Sequence, residues 1–200
     1  MKIFFDTEFT GLYKTTTLIS LGMIDEFGRT FYAEFLDYDK FQCNEWIQNN
    51  VIKNLRYKEH NIDWCDEDSY HCNCVGHTYF VRDCLKKWLS EYDNVELVSD
   101  VSHYDMVLFV DIFGSAFDIP KNVSPCCYDI NQDIAKFFKV SMHEAFDISR
   151  EGIIDWYNSV RNNFLIKDES KNKIEINGDK HNSLYDACVI KAIYEIINHK

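Results

Sequence analysis

The chain has 200 residues and a formal charge of −12, with 46% hydrophobic and 16% aromatic residues. That composition excludes a disordered or low-complexity protein, and the length suits one domain, alone or with an insertion. The acidic balance excludes a broad, sequence-independent grip on nucleic-acid backbone; it leaves room for a short footprint beside a charge-neutralising metal.

In chain order, Ile3 to Asp6 is an apolar run that reads as a first strand, and Leu18 to Ile24 as a second. Asp25-Glu26-Phe27-Gly28 has the chemistry of a hairpin turn, and Arg29 to Phe35 follows as a third strand. Three sequential antiparallel strands are the simplest topology. Trp46, Ile47, Val51, Ile52 and Leu55 fall at helical spacing. From about residue 56 to 77 no period is visible, and Asp, Asn, Cys and His crowd the segment; it reads as a long loop or insertion. A helix is expected from about Tyr79 to Tyr92, with Val81, Leu85, Trp88 and Leu89 on one stripe. Val95 to Ser99 reads as a fourth strand, followed by a helix to about Phe113 that Gly114 stops. Short helical patterns occupy Tyr128 to Tyr157, and Asn172 to Gly178 reads as a short strand and turn. The last helix runs from about Ser183 to Ile197, capped by Asn182 or Ser183. The sum is an α/β domain over residues 1–200, a mixed sheet with helices packed on it.

The start of the chain lacks a basic region followed by a long apolar stretch and a small-residue cleavage site. No apolar run approaches the roughly 20 residues that span a bilayer. A cytoplasmic protein without a membrane partner is expected. Its eight cysteines are then expected as reduced thiols, with Cys43, Cys84 and Cys188 as small core residues.

Asp6 and Glu8 end the first strand. Residues i and i+2 of a strand share a face, so both carboxylates aim at one spot. Like charges that close repel unless a cation sits between them, and hard carboxylate oxygens suit Mg²⁺ or Mn²⁺. Asp105 opens the helix after strand four, and His181 and Asp186 straddle the start of the last helix. Each lies at an element boundary, where sites form in such folds.

Asp6-Thr7-Glu8, then Asp105 within His103-Tyr104-Asp105-Met106-Val107-Leu108, then His181-x4-Asp186 resembles the DEDDh branch of the DnaQ-like 3′→5′ exonucleases. Phe5 to Phe9, Ile19 to Gly22, Asp25 to Arg29, Trp46-Ile47 and Tyr104-Asp105 look like a bacterial subgroup of small stand-alone, RNase T-like 3′→5′ exoribonucleases. The resemblance implies a ribonuclease H-like fold, three antiparallel strands then parallel ones flanked by helices. It implies two Mg²⁺ or Mn²⁺ per active site held by Asp6, Glu8, Asp105 and Asp186, with His181 as general base. The expected activity is hydrolysis of single-stranded RNA, or of 3′ overhangs, to 5′-nucleoside monophosphates. A homodimer is implied at family level. The preference for RNA rests on the subgroup likeness. Alternatives are a 3′→5′ DNA exonuclease, such as a phage enzyme, or a catalytically silent nucleotide- or RNA-binding module. Asp100, Ser102 and His103 stand where many members carry an Asn before the second-motif Asp.

Phe9 has two readings, a stacking platform for the terminal base or an ordinary core aromatic. Thr7 is a candidate donor to the terminal nucleotide through its amide or hydroxyl. Cys65, Cys72, Cys74 and His77 invite a structural Zn²⁺, although the one-residue gap between Cys72 and Cys74 departs from the usual spacing. Lys86, Lys87, Lys171, Lys173 and Lys180 are candidate phosphate contacts, and Cys126-Cys127 reads as packing.

Overall fold

The computed structural model describes residues 1–163 and 173–198, with side chains left out at 161–163. Seven strands form one mixed sheet: β1 (Lys2–Phe9), β2 (Leu18–Asp25), β3 (Thr30–Phe35), β4 (Trp64–Glu67), β5 (His71–Gly76), β6 (Val95–Ser99) and β7 (Val123–Asp129). Their order across the sheet is β4-β5-β3-β2-β1-β6-β7. β1, β2 and β3 pair antiparallel, as the hairpin turn at Asp25 to Gly28 demands, and β6 joins β1 parallel.

Among the described residues seven α-helices flank the sheet: α1 (Glu45–Asn50), α2 (Thr78–Leu89), α3 (Ser102–Phe113), α4 (Asn131–Phe138), α5 (Met142–Asp147), α6 (Arg150–Asn163) and α7 (Ser183–Asn198). Among the described residues no helix is long and apolar enough to cross a membrane. Side-chain alternation along β1 divides the core in two. Ile3 and Phe5 point to one face and pack with Val81, Leu85 and Trp88 of α2 and Phe109 of α3. Phe4 points to the other, against Ala187, Ile190 and Ile193 of α7. The same alternation sends Asp6 and Glu8 towards α7 and Thr7 towards α3.

Three segments depart from the sequence reading. Residues 64–76, expected as loop, form the β4–β5 hairpin, with β5 parallel to β3. β4 is a sheet edge whose Cys65, Asp66 and Glu67 are exposed, so no apolar alternation marks it. β7 is the opposite edge and carries Pro125, which removes a ladder donor and is tolerated only at such a position. The strand expected near Asn172 to Gly178 is absent from the described part, 173–178; Asn172 lies outside the described residues. There the Asn158 side chain takes the place of a partner strand, accepting from the Ile174 amide at 3.1 Å and donating to its carbonyl at 3.0 Å. The first helix is also shorter than its periodicity suggests: α1 ends at Asn50, and a 3₁₀ turn, Ile52–Asn54, carries the rest.

The close approach of α7 to β2 sets the geometry of the carboxyl ends of β1. Gly22 is paired with Asp6. A Cβ on Gly22 would lie 2.2 Å from the Leu184 nitrogen and 2.3 Å from the Ser183 carbonyl carbon. Beside it the Ser183 hydroxyl donates to the Ser20 hydroxyl at 2.9 Å, both fully buried. Only a residue without a side chain lets the helix start press on the strand. Gly22→Ala is therefore expected to cost about 1–3 kcal/mol by overpacking. Urea denaturation should show that loss together with a fall in nuclease turnover; an unchanged midpoint would contradict the packing account.

Candidate active site

At the carboxyl ends of β1 and β6 lies a cavity of about 330 Å³. Asp6, Thr7, Glu8 and Phe9 line it from β1, Asp100 and Val101 from the end of β6, and Tyr104 and Asp105 from α3. Arg150 and Glu151 enter from the start of α6, and Lys180, His181 and Asp186 from the approach to α7. All five residues of the acid and histidine set thus face one space. A nitrogen of His181 and one oxygen each of Glu8 and Asp186 lie within 4.8 Å of one another.

Local geometry aims each group. The Thr7 amide and hydroxyl donate to Asp105 Oδ1 at 3.2 and 2.5 Å. Thr7, the candidate nucleotide contact, lines the cavity but is almost fully buried, and both of its donors go to Asp105. The His181 amide donates to Asp186 Oδ2 at 2.9 Å, which couples the loop to the helix. His181 itself is left-handed, φ +63°, and so is Val101, φ +62°. Such angles are strained for a non-glycine residue, above all a β-branched one, and of the three such residues described these two line the cavity. The approach to α7 is held by Asn182, whose amide donates to the Tyr32 hydroxyl and the Asn54 carbonyl, each at 3.0 Å. The Asn54 amide in turn donates to the Lys180 carbonyl at 2.7 Å. Trp46 of α1 sets its ring edge-on to His181, centroids 5.0 Å apart. Phe9 stacks on Tyr104, centroids 5.3 Å apart and planes at 17°.

The cavity holds negative charge without protein cations to balance it. Arg150 is committed to Asp100 through two bonds of 2.6 and 2.8 Å, and Lys180 pairs with Glu151 at 3.1 Å. Asp6, Glu8, Asp105 and Asp186 have no such partner among the described residues. Burial first, then the charges of Asp105, Asp186 and Glu8, raise the Asp6 carboxyl well above its usual value. Burial and the Asp186 and Asp105 charges push Glu8 up to about 8. Burial lifts Asp105 to about 7, against hydrogen bonds from Thr7 and Ser99. Burial likewise lifts Asp186 to about 7, against the His181 amide. His181 moves the other way: burial, then Lys180, lower its value, with Glu151 opposing, so the neutral imidazole is favoured. Four uncompensated carboxylates on hard oxygen donors fit a divalent cation of the Mg²⁺ or Mn²⁺ class.

Several residues here carried no motif. Glu151, Arg150 and Asp100 belong to segments whose period points only to a helix start or a strand end. Trp46 was visible as part of the subgroup likeness. Of the lysines, Lys180 alone lines the cavity; Lys87 and Lys173 pair with Glu67 and Glu175, Lys86 lies over the Phe113 ring, and Lys171 lies outside the described residues. The expected Cys65, Cys72, Cys74 and His77 set also changes. His77 Nδ1 lies 2.9 Å from Asp63 Oδ1 and its ring stacks on Tyr79, whereas Cys84 joins the sulfurs.

No family model matches the chain. By sequence it is 26% identical over 132 residues to 3′-5′ exoribonucleases from two strains of Mycobacterium tuberculosis, across 66% of this chain and 73% of theirs. By structure it is similar to a 3′-exonuclease seen in specific recognition of the histone mRNA stem-loop 3′ end, with a TM-score of 0.61 and 12% identity. That match covers 99% of this chain and 64% of the other, so the chain spans about two thirds of its length. The nuclease domain of 3′hExo, a DEDDh family member bound to rAMP, has a TM-score of 0.60 and 14% identity, covering 96% and 88% of the two chains. Pop2p of S. pombe, in a form with Mg²⁺ and Mn²⁺, has a TM-score of 0.58 and 15% identity, covering 96% and 81%. The fold is the ribonuclease H-like fold of these nucleases. By sequence its likeness is to the mycobacterial 3′-5′ exoribonucleases.

The raised carboxyl values fix a sign for pH dependence. A group whose folded-state value lies above its unfolded one stabilises the fold at low pH and loses that contribution as pH rises through the folded value. For Glu8, Asp105 and Asp186 that loss runs from about pH 4 to about 8. Metal-free protein should therefore melt at a lower temperature at pH 8 than at about pH 5.5. Mg²⁺ or Mn²⁺ should raise Tm more at pH 8, and Glu8→Gln should flatten the metal-free profile. Calorimetry showing a metal shift independent of pH would contradict this.

Proposed function

We propose that the chain removes 5′-nucleoside monophosphates from the 3′ end of single-stranded RNA or of 3′ overhangs. The observation that carries this is the convergence of Asp6, Glu8, Asp105 and Asp186 with a neutral His181 in one open cavity. RNA is favoured over DNA because the relatives similar in sequence are named exoribonucleases.

Asp6, Glu8 and Asp186 would hold one of two Mg²⁺ or Mn²⁺ ions, and Asp6 with Asp105 the other. Bound there, the ions would supply Lewis acidity and offset the negative charge of the scissile phosphate and its leaving oxygen. The chain's own part is general-base chemistry and positioning. A water oxygen attacks the terminal phosphorus while a ring nitrogen of His181 takes its proton. The bond between phosphorus and the 3′ oxygen of the penultimate nucleotide breaks, and that oxygen takes a proton from solvent. Thr7 keeps Asp105 in place through its two donors. Phe9, backed by Tyr104, offers an aromatic surface at the cavity wall for the terminal base.

His181→Ala should lower turnover by about 10²–10⁴-fold, the usual scale of general-base loss, while leaving metal affinity close to wild type. Single-turnover kinetics on labelled RNA and DNA oligomers with Mn²⁺, beside isothermal metal titration, would test both halves. Near-normal turnover would remove His181 as base, and a marked preference for DNA would overturn the RNA assignment.

A further inference from the structure

On the far side of the sheet from α7 lies a second cluster of metal-ligating side chains. Cys65 of β4 is paired directly with Cys74 of β5, and Cys72 lies two residues away on the same face. Cys84 of α2 packs onto this face. The Cys74 sulfur is 3.4 Å from that of Cys65, and the Cys72 sulfur is 3.8 Å from each. Cys84 lies with Cys65 and Cys74 in a set whose sulfurs are all within 4.8 Å of one another. All four are free thiols.

The three sulfur separations among Cys65, Cys72 and Cys74 match the edges of one coordination polyhedron, with Cys84 within reach of Cys65 and Cys74. A tetrahedral zinc with Zn–S of about 2.3 Å has sulfur–sulfur edges of about 3.8 Å. Two strands and one helix are brought to that spacing by the sheet register and by the packing of α2, without the two-to-four-residue spacing usual for zinc. The location also calls for an anchor. β4 exposes three of its four residues, so burial does little to hold this edge strand, whereas β5 packs in the core beside α2. The Lys87 ammonium, held by Glu67 at 2.5 Å, stands beside Cys65 and Cys72, where it would offset the net negative charge of a tetrathiolate zinc centre.

We propose that Cys65, Cys72, Cys74 and Cys84 bind one structural zinc ion that staples the β4–β5 edge hairpin to α2. Binding displaces the thiol protons to solvent and needs no redox partner. The cluster is separate from the carboxylate cavity and carries no step of the hydrolysis.

The full-length protein, expressed with zinc in the medium and washed with EDTA to clear the carboxylates, is analysed for metal and for thiols reactive in the native state. About one zinc per chain is expected, with the four cluster thiols shielded until the metal is released. Asp6→Asn/Asp186→Asn should keep that zinc, which separates this site from the nuclease cavity. Cys65→Ser and Cys84→Ser should each lose it or bind it at least tenfold more weakly, and Cys188→Ser should not. Cobalt reconstitution of the wild-type chain provides a readout that needs no variant: a thiolate-to-cobalt charge-transfer band is expected. Absence of both zinc and that band, with all eight thiols reactive, overturns the proposal. So does a Cys65–Cys74 disulfide in the metal-free protein that zinc in the medium does not prevent.

Discussion

Four carboxylates that repel one another are held together because the start of α7 rests directly on β2 at Gly22. The paired residue of Gly22 is Asp6, and the adjacent Ser20–Ser183 bond joins the same two elements beside Glu8. Asp186 stands one turn into α7, so this contact carries its carboxylate to the end of β1. The apolar face of α7, with Ala187, Ile190 and Ile193 against Phe4 and Val98, supplies the burial that holds the charges close. Burial then raises the carboxyl values further, because low-dielectric surroundings penalise every uncompensated charge. A cation relieves repulsion and desolvation together, so the fold's cost at this site is also its affinity for metal.

Opposite demands meet at His181. As the proposed base it must stay neutral to take a proton, yet it sits among acids that would favour its charged form. Burial and the neighbouring Lys180 hold it down, while Glu151 pairs with Lys180 and moderates that effect. Its left-handed backbone places its amide on Asp186 and its ring on the edge of Trp46. The strain is borne by a web of bonds among Asn182, Asn54 and Tyr32 that flanks His181 on the approach to α7. The pair of Arg150 and Asp100 does similar work on the other wall: it closes off a cation that would otherwise compete for the carboxylates.

The sheet's two edges behave differently from its centre. Central strands β1, β2 and β3 bury most of their residues and announce themselves as apolar runs. The edges β4 and β7 do not. Polar residues and Pro125 protect them from pairing with other chains, and the same protection hides them from pattern reading. At β4 and β5 the alternating cysteines serve as the inward face, a role that aliphatic residues fill elsewhere.

What the sequence determined by itself is the spine of the fold and the positions of the candidate acids along it. Apolar runs ending in Asp6 and Glu8, helical periodicity that begins one turn before Asp186, and a glycine stop at Gly114 are local signals, written in neighbouring residues. Only the tertiary structure decided that Thr7 serves Asp105, that Arg150 neutralises Asp100, that Trp46 borders His181, and that Cys84 replaces His77 among the clustered sulfurs. Each of these depends on which distant segments share a face, and that is set by sheet register and helix docking over separations far longer than any sequence period.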